Sequence, residues 1–231
     1  MRAPALLLLL AACHPTPAPP SPPPSSFGFY LLAMTWDSTA ASCANHLTLH
    51  GLWPNFTDEQ ARGQPRAWPQ FCGAYAHCET TVDASCAPQA PVPAELAPLA
   101  PAYVTGDLAT HEWSKHGSCT ALSAADYFAA ELAAIHIIPS NATPDVLRDA
   151  AGHDLARADL ARAFGIPPES VVLGCDDHCR LTQVGFCLAK DARDHPTAPT
   201  PCTPSVTTSD YDNGCATRSC DRVAIPACGA R

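Results

Sequence analysis

The sequence predicts an α+β fold, a mainly antiparallel central sheet with several flanking helices, and a disulfide-rich one. Three observations lead there. Segments of helical and of strand character do not alternate regularly, which argues against a parallel sheet with crossover helices. Thirteen cysteines stand in 231 residues, a density suited to an oxidising compartment. Aromatic content is only 7% and 25 residues are proline, so cross-links would supplement a modest core.

The N-terminal "MRAPALLLLLAAC" places one arginine before a short apolar run that ends in small residues. That is the layout of a secretory signal, and the run is too short to span a bilayer. Residues 1–12 are therefore expected to be a signal peptide. Leu10-Ala11-Ala12-Cys13 also resembles the bacterial lipoprotein processing motif, which would make Cys13 a lipidated N-terminus. Setting Cys13 aside leaves twelve cysteines, enough for six disulfides. Residues 13–26 are expected to be a Pro-rich linker, whose prolines favour an extended conformation with no capacity to form a core. The folded domain is expected over 27–231. The protein would be exported, periplasmic or extracellular, and anchored to a bacterial membrane where the lipid is present.

"FGFYLLAMTW" (27–36) reads as a buried strand. "HLTLHGLW" (46–53) alternates, Leu47 and Leu49 on one face, His46, Thr48 and His50 on the other. Pro54 should end it, having no N–H for the ladder. Residues 55–105 look irregular, with a short helix around Ala94–Leu99. "THEWSKHG" (110–117) reads as a short helix with Thr110 as N-cap and Gly117 as stop. "SAADYFAAELAAI" is a helix capped by Ser123, and "TPDVLRDAAGHDLARADLARAFG" holds one or two more, closed by Gly165. "SVVLGC" and "RLTQVGFCLAK" read as paired strands. The remainder is mostly loop, with a short strand in "DRVAIPAC".

The net charge is −9, so any nucleic acid would be held by a local site rather than by the general field. "HEWSKHGSC" (111–119) looks at first like a stretched zinc-protease motif. On a helix, however, residues i and i+5 lie about 140° apart, so His111 and His116 make a poor chelate. Glu112 and His116 are spaced i, i+4, as are His111 and Lys115, giving one broad polar face. A Glu–His pair on a solvated helix would look the same. In "CDDHC" (175–179), disulfides are the better reading than a metal site in an exported protein.

"LTLHGLWPN" and "HEWSKHGSC", in that order, resemble the two active-site segments of the T2 ribonuclease family. "FYLLAMTW", "WPQFC" and "LTQVGFCLAKD" resemble weaker landmarks. The resemblance implies a metal-independent endoribonuclease, without cofactor, that acts on single-stranded RNA through the 2′-hydroxyl. Products would be 2′,3′-cyclic phosphates and then 3′-phosphates, and DNA would be excluded. It casts His116 as general base, His50 as general acid, Lys115 and Glu112 as stabilising the phosphorane, and His111 as binding phosphate. Trp53 would stack a base and Asn55 would read its edge. It also implies a Cys72–Cys119 disulfide and, more weakly, pairing of Cys187 with a cysteine near the C-terminus, Cys220 being the candidate. The molecule is expected to be a monomer. Two departures stand out: Thr35 replaces a frequent glutamine, and Ser118 replaces a commoner threonine. Asn55-Phe56-Thr57 and Asn141-Ala142-Thr143 are glycosylation sequons.

Overall fold

The computed structural model describes residues 27–36, 46–104, 107–204, 206 and 214–229. The expected signal peptide, Cys13 and the Pro-rich linker lie outside the described residues. Among the described residues there are seven strands: β1 (Phe29–Trp36), β2 (Leu47–Asn55), β3 (Asp154–Ala156), β4 (Val171–Cys175), β5 (Leu181–Lys190), β6 (Pro196–Pro199) and β7 (Arg222–Ala224). The α-helices are α1 (Asp58–Ala61), α2 (Pro101–Val104), α3 (Asp107–Lys115), α4 (Ala124–Ile137), α5 (Asp145–Asp149) and α6 (Arg157–Ala163).

The main sheet has the order β2-β1-β5-β4, with β6 added to β5, and every pairing in it is antiparallel. Strand β1 is central, and its apolar run fills both faces. Tyr30, Leu32, Met34 and Trp36 enter the main core with Tyr127, Phe128 and Ile135 of α4 and Leu160 of α6. Phe29 and Leu31 point the other way, onto Val172, Cys187 and Val206. A strand buried on both faces has no polar alternation to show, which is why it reads as a continuous hydrophobic run. Ser123 caps α4 by accepting from the Asp126 amide at 3.2 Å, as its sequence indicated.

Several local expectations are corrected. Strand β2 runs through Pro54 to Asn55. It is an edge strand, where a missing N–H on the unpaired side is tolerated. Helix α3 starts at Asp107, so Thr110 lies inside it rather than capping it. The helix expected near Ala94–Leu99 is a single 3₁₀ turn, Ala94–Leu96.

Five disulfides are described: Cys72–Cys119, Cys78–Cys86, Cys175–Cys215, Cys179–Cys220 and Cys187–Cys202. Cys228 is disulfide-bonded as well. Both cysteines of "CDDHC" are thus consumed in cross-links. The expected Cys187–Cys220 pairing is wrong. Strand β6 folds back along β5, and Thr200 donates to the Cys187 carbonyl at 2.9 Å, which sets Cys202 beside Cys187.

Candidate active site

A β-bulge aims the first segment. Ala33 pairs with Gly51 but Met34 pairs with Leu49, so His50 is the extra residue. An extra residue reverses the side-chain phase of the strand. Before it, Leu47 and Leu49 face the main core; after it, Leu52 does, and Trp53 turns to the opposite face against the Phe29 and Leu31 cluster. His50 and Trp53 thereby come together, ring centroids 5.3 Å apart. Gly51 leaves the space that the partner helix needs. A Cβ built there would lie 2.0 Å from Glu112 Oε2.

Helix α3 supplies the second segment. Trp113 anchors it in the core beside Tyr127 and Tyr75. Gly117, just past its end, lets the chain pass close to Trp113, where a Cβ would lie 2.5 Å from the indole. The following turn is stitched to the 71–72 loop. Phe71 donates to the Lys115 carbonyl at 2.9 Å, and Ser118 Oγ accepts from the Cys72 amide at 3.0 Å while donating to the Ser114 carbonyl at 2.7 Å. The Cys72–Cys119 bond closes this region covalently. Ser118 therefore has a structural hydroxyl role for which the methyl of threonine is not required.

Glu112 sits at the centre and is fully buried. Its Oε2 accepts from Trp53 Nε1 at 2.7 Å and lies 4.0 Å from His116 Nε2. Its Oε1 lies 3.5 Å from His50 Nε2. The Trp53 ring stacks on His116, 5.0 Å between centroids at 19°. His116 is only 2% exposed, whereas His111 is exposed and Lys115 half-buried. Gln183 of β5 places its amide nitrogen 3.0 Å from His50 Nδ1. With that amide donating, the proton of a neutral His50 is carried on Nε2, facing Glu112.

Burial favours the neutral form of each of the central groups. It pushes the Glu112 carboxyl up to about 8, against the Trp53 hydrogen bond and the Lys115 charge, which act downwards. It holds His50 down at about 4, helped by His111 and Lys115. His116 is held well below its ordinary value by burial, then by Lys115, His111 and His50. His111 is lowered by burial and by Lys115.

The structure gathers His50, Trp53, His111, Glu112, Lys115 and His116 into one cluster. Asn55 stands apart from its expected role: it is 3% exposed and its amide donates to the Trp53 carbonyl at 2.9 Å. That side chain is spent on its own strand and offers no open edge to a base. For the same reason the first sequon is closed, while in the second Thr143 is buried and accepts from the Leu47 amide at 3.0 Å. Trp53 has one face occupied by His116, so it organises the histidines rather than awaiting a base on that side. Gln183 was missed by sequence reasoning. The signal was an amide inside the apolar strand "LTQVGFCLAK", directly opposite Thr35 in the sheet.

No curated protein matches the chain. Among solved structures, the fold is similar to Actibind, described as a T2 ribonuclease, with 17% identity, 93% of this chain and 94% of that one covered, and a TM-score of 0.52. It is similar too to the Nicotiana alata self-incompatibility-associated SF11-RNase, with 16% identity, 81% and 97% covered, and a TM-score of 0.52. A model of the ribonuclease T2 family matches residues 27–195, which include every residue of the cluster. The chain belongs to the ribonuclease T2 family.

Proposed function

We propose that this ribonuclease cleaves single-stranded RNA endonucleolytically, without a metal, by transesterification. The observation that carries the reading is two imidazoles from separate elements, His50 and His116, set on either side of one buried carboxyl and beside Lys115. In the first step neutral His116 accepts the proton of the ribose 2′-hydroxyl. The 2′-oxygen bonds to phosphorus and the bond from phosphorus to the 5′-oxygen breaks, with His50 giving that oxygen its proton. The result is a 2′,3′-cyclic phosphate. Water then opens the ring with the histidine roles exchanged, leaving a 3′-phosphate.

The resting His50 is largely neutral at neutral pH. An incoming phosphodiester places negative charge beside it and raises its affinity for the proton it must donate. Glu112, 3.5 Å away, supports the imidazolium so formed, and Lys115 supplies positive charge to the phosphorane oxygens. His111, exposed on the same helix, would contact phosphate. His116 lies under Trp53, so a ribose reaches it once that stack opens. DNA lacks the nucleophile.

Lys115 gives the site a local positive charge against the overall charge of −9, and mildly acidic conditions would lighten that overall charge. Five disulfides support a protein that matures in an oxidising compartment. Export, action as a monomer, and tethering through a lipid on Cys13 complete the reading. The test is an oligodeoxynucleotide carrying a single ribonucleotide, incubated with the enzyme in excess EDTA. Cutting only at the bond 3′ to the ribonucleotide is expected; loss of cutting in EDTA, or cleavage of the all-DNA control, would overturn the proposal.

A further inference from the structure

Helix α4 carries a carboxyl that the mechanism above does not use. Glu131 is fully buried in a helix otherwise apolar on that face. A buried carboxyl costs stability unless it is hydrogen-bonded, and alanine or leucine would pack there without that cost. Its surroundings are specific. Glu131 Oε1 lies 2.8 Å from the hydroxyl of Tyr103, and the same hydroxyl lies 3.0 Å from the backbone carbonyl of His50. Tyr127, one turn before Glu131 on α4, donates to the Leu52 carbonyl at 2.8 Å. The two tyrosines thus grip β2 at the bulge residue His50 and again two residues beyond it, at Leu52.

A tyrosine hydroxyl has one proton. If Tyr103 donates to the His50 carbonyl, its oxygen must accept from Glu131, which requires the carboxyl to be protonated. Burial first, with the nearby Glu112 also acting upwards, holds Glu131 well above the usual carboxylate range, so that proton is present. The chain then runs from the Glu131 O–H to the Tyr103 oxygen, and from the Tyr103 O–H to the His50 carbonyl.

We propose that Glu131 is a positioning residue for catalysis, which acts through Tyr103, alongside Tyr127, to fix the bulge that aims His50 at the scissile phosphate. The inference rests on the ribonuclease mechanism proposed above. Misplacement of a catalytic group by about 1 Å can lower the rate on the order of 10²-fold, so the effect belongs in kcat rather than KM.

The test compares Glu131→Gln, Glu131→Leu and Tyr103→Phe with the wild-type enzyme by steady-state kinetics, thermal unfolding and the NMR signals of the His50 ring. Glutamine still donates to the Tyr103 oxygen and should retain most of kcat. Glu131→Leu and Tyr103→Phe should each lower kcat by roughly 10- to 100-fold with KM little changed, shift the His50 signals, and combine non-additively. Glu131→Leu should keep or raise the melting temperature. Full kcat in Glu131→Leu, or a loss as large in Glu131→Gln as in Glu131→Leu, would overturn the proposal. A wild-type protein that does not cleave RNA would instead overturn the mechanism, while the His50 signals would still report on the clamp.

Discussion

Replacing Gly51 by alanine adds one methyl group at the most crowded point of the site. The new Cβ would stand 2.0 Å from Glu112 Oε2, and 2.7 Å from both Glu112 Cδ and Trp53 Nε1. Ordinary contact starts near 3.4 Å, so the carboxyl or the strand must retreat by about 1.4 Å, more than the ~1 Å that suffices to cost two orders of magnitude in rate. Trp53 is bonded to that carboxyl and stacked on His116, so the disturbance reaches both histidines. The expected outcome is a fall in kcat/KM on the order of 10²-fold. Overpacking should also reduce stability by about 1–3 kcal/mol. Kinetics on a dinucleoside phosphate, with thermal unfolding in parallel, separates the two effects. An alanine variant with undiminished kcat/KM would refute the claim that Gly51 makes room for Glu112.

Replacing Cys72 and Cys119 together by alanine opens a 47-residue loop, and the chain-entropy relation puts the loss at about 4 kcal/mol. Calorimetry should show a melting temperature lower by on the order of 10 °C, with activity falling because the end of α3 is released. Lys115→Met removes a charge that lowers His50, His111 and His116 alike. Both limbs of the pH profile of kcat/KM should then move to higher pH while its height falls; limbs that stay in place would contradict the electrostatic reading. Glu112→Gln should abolish most activity yet raise stability. The carboxyl of Glu112 is raised to about 8 when folded, from 4.5. Its contribution is therefore whole below pH 4.5 and is lost as pH rises through 8. The variant should thus unfold at the same denaturant concentration as wild type at about pH 4, and at a higher one at about pH 8, by on the order of a few kcal/mol.

The strands and α4 were legible because long apolar runs bounded by Ser, Gly and Pro admit few other readings. His50, Glu112, Lys115 and His116 were legible because helical spacing groups three of them and the "LTLHGLWPN" segment supplies the fourth. The bulge was not. Strict alternation from Leu47 and Leu49 sends Trp53 towards the core, and only the pairing with β1 reveals that His50 is an inserted residue. Gln183 and Glu131 escaped because each meets the site across the sheet or through it, from residues distant in sequence. The partner of Cys187 depended on β6 folding back along β5, which the short, proline-rich "PTAP" does not announce. Asn55 shows the opposite error, since a residue type suited to reading bases is occupied by the carbonyl of its own strand.

The most direct measurement is the chemistry of the product ends. Purified enzyme is incubated briefly with a defined RNA in excess EDTA, and the fragments are weighed by mass spectrometry. Early fragments should end in 2′,3′-cyclic phosphate and late ones in 3′-phosphate, with neither formed by His50→Ala or His116→Ala. Fragments bearing 5′-phosphate and a free 3′-hydroxyl, or undiminished cleavage by either alanine variant, would contradict attack by the 2′-hydroxyl between two histidines.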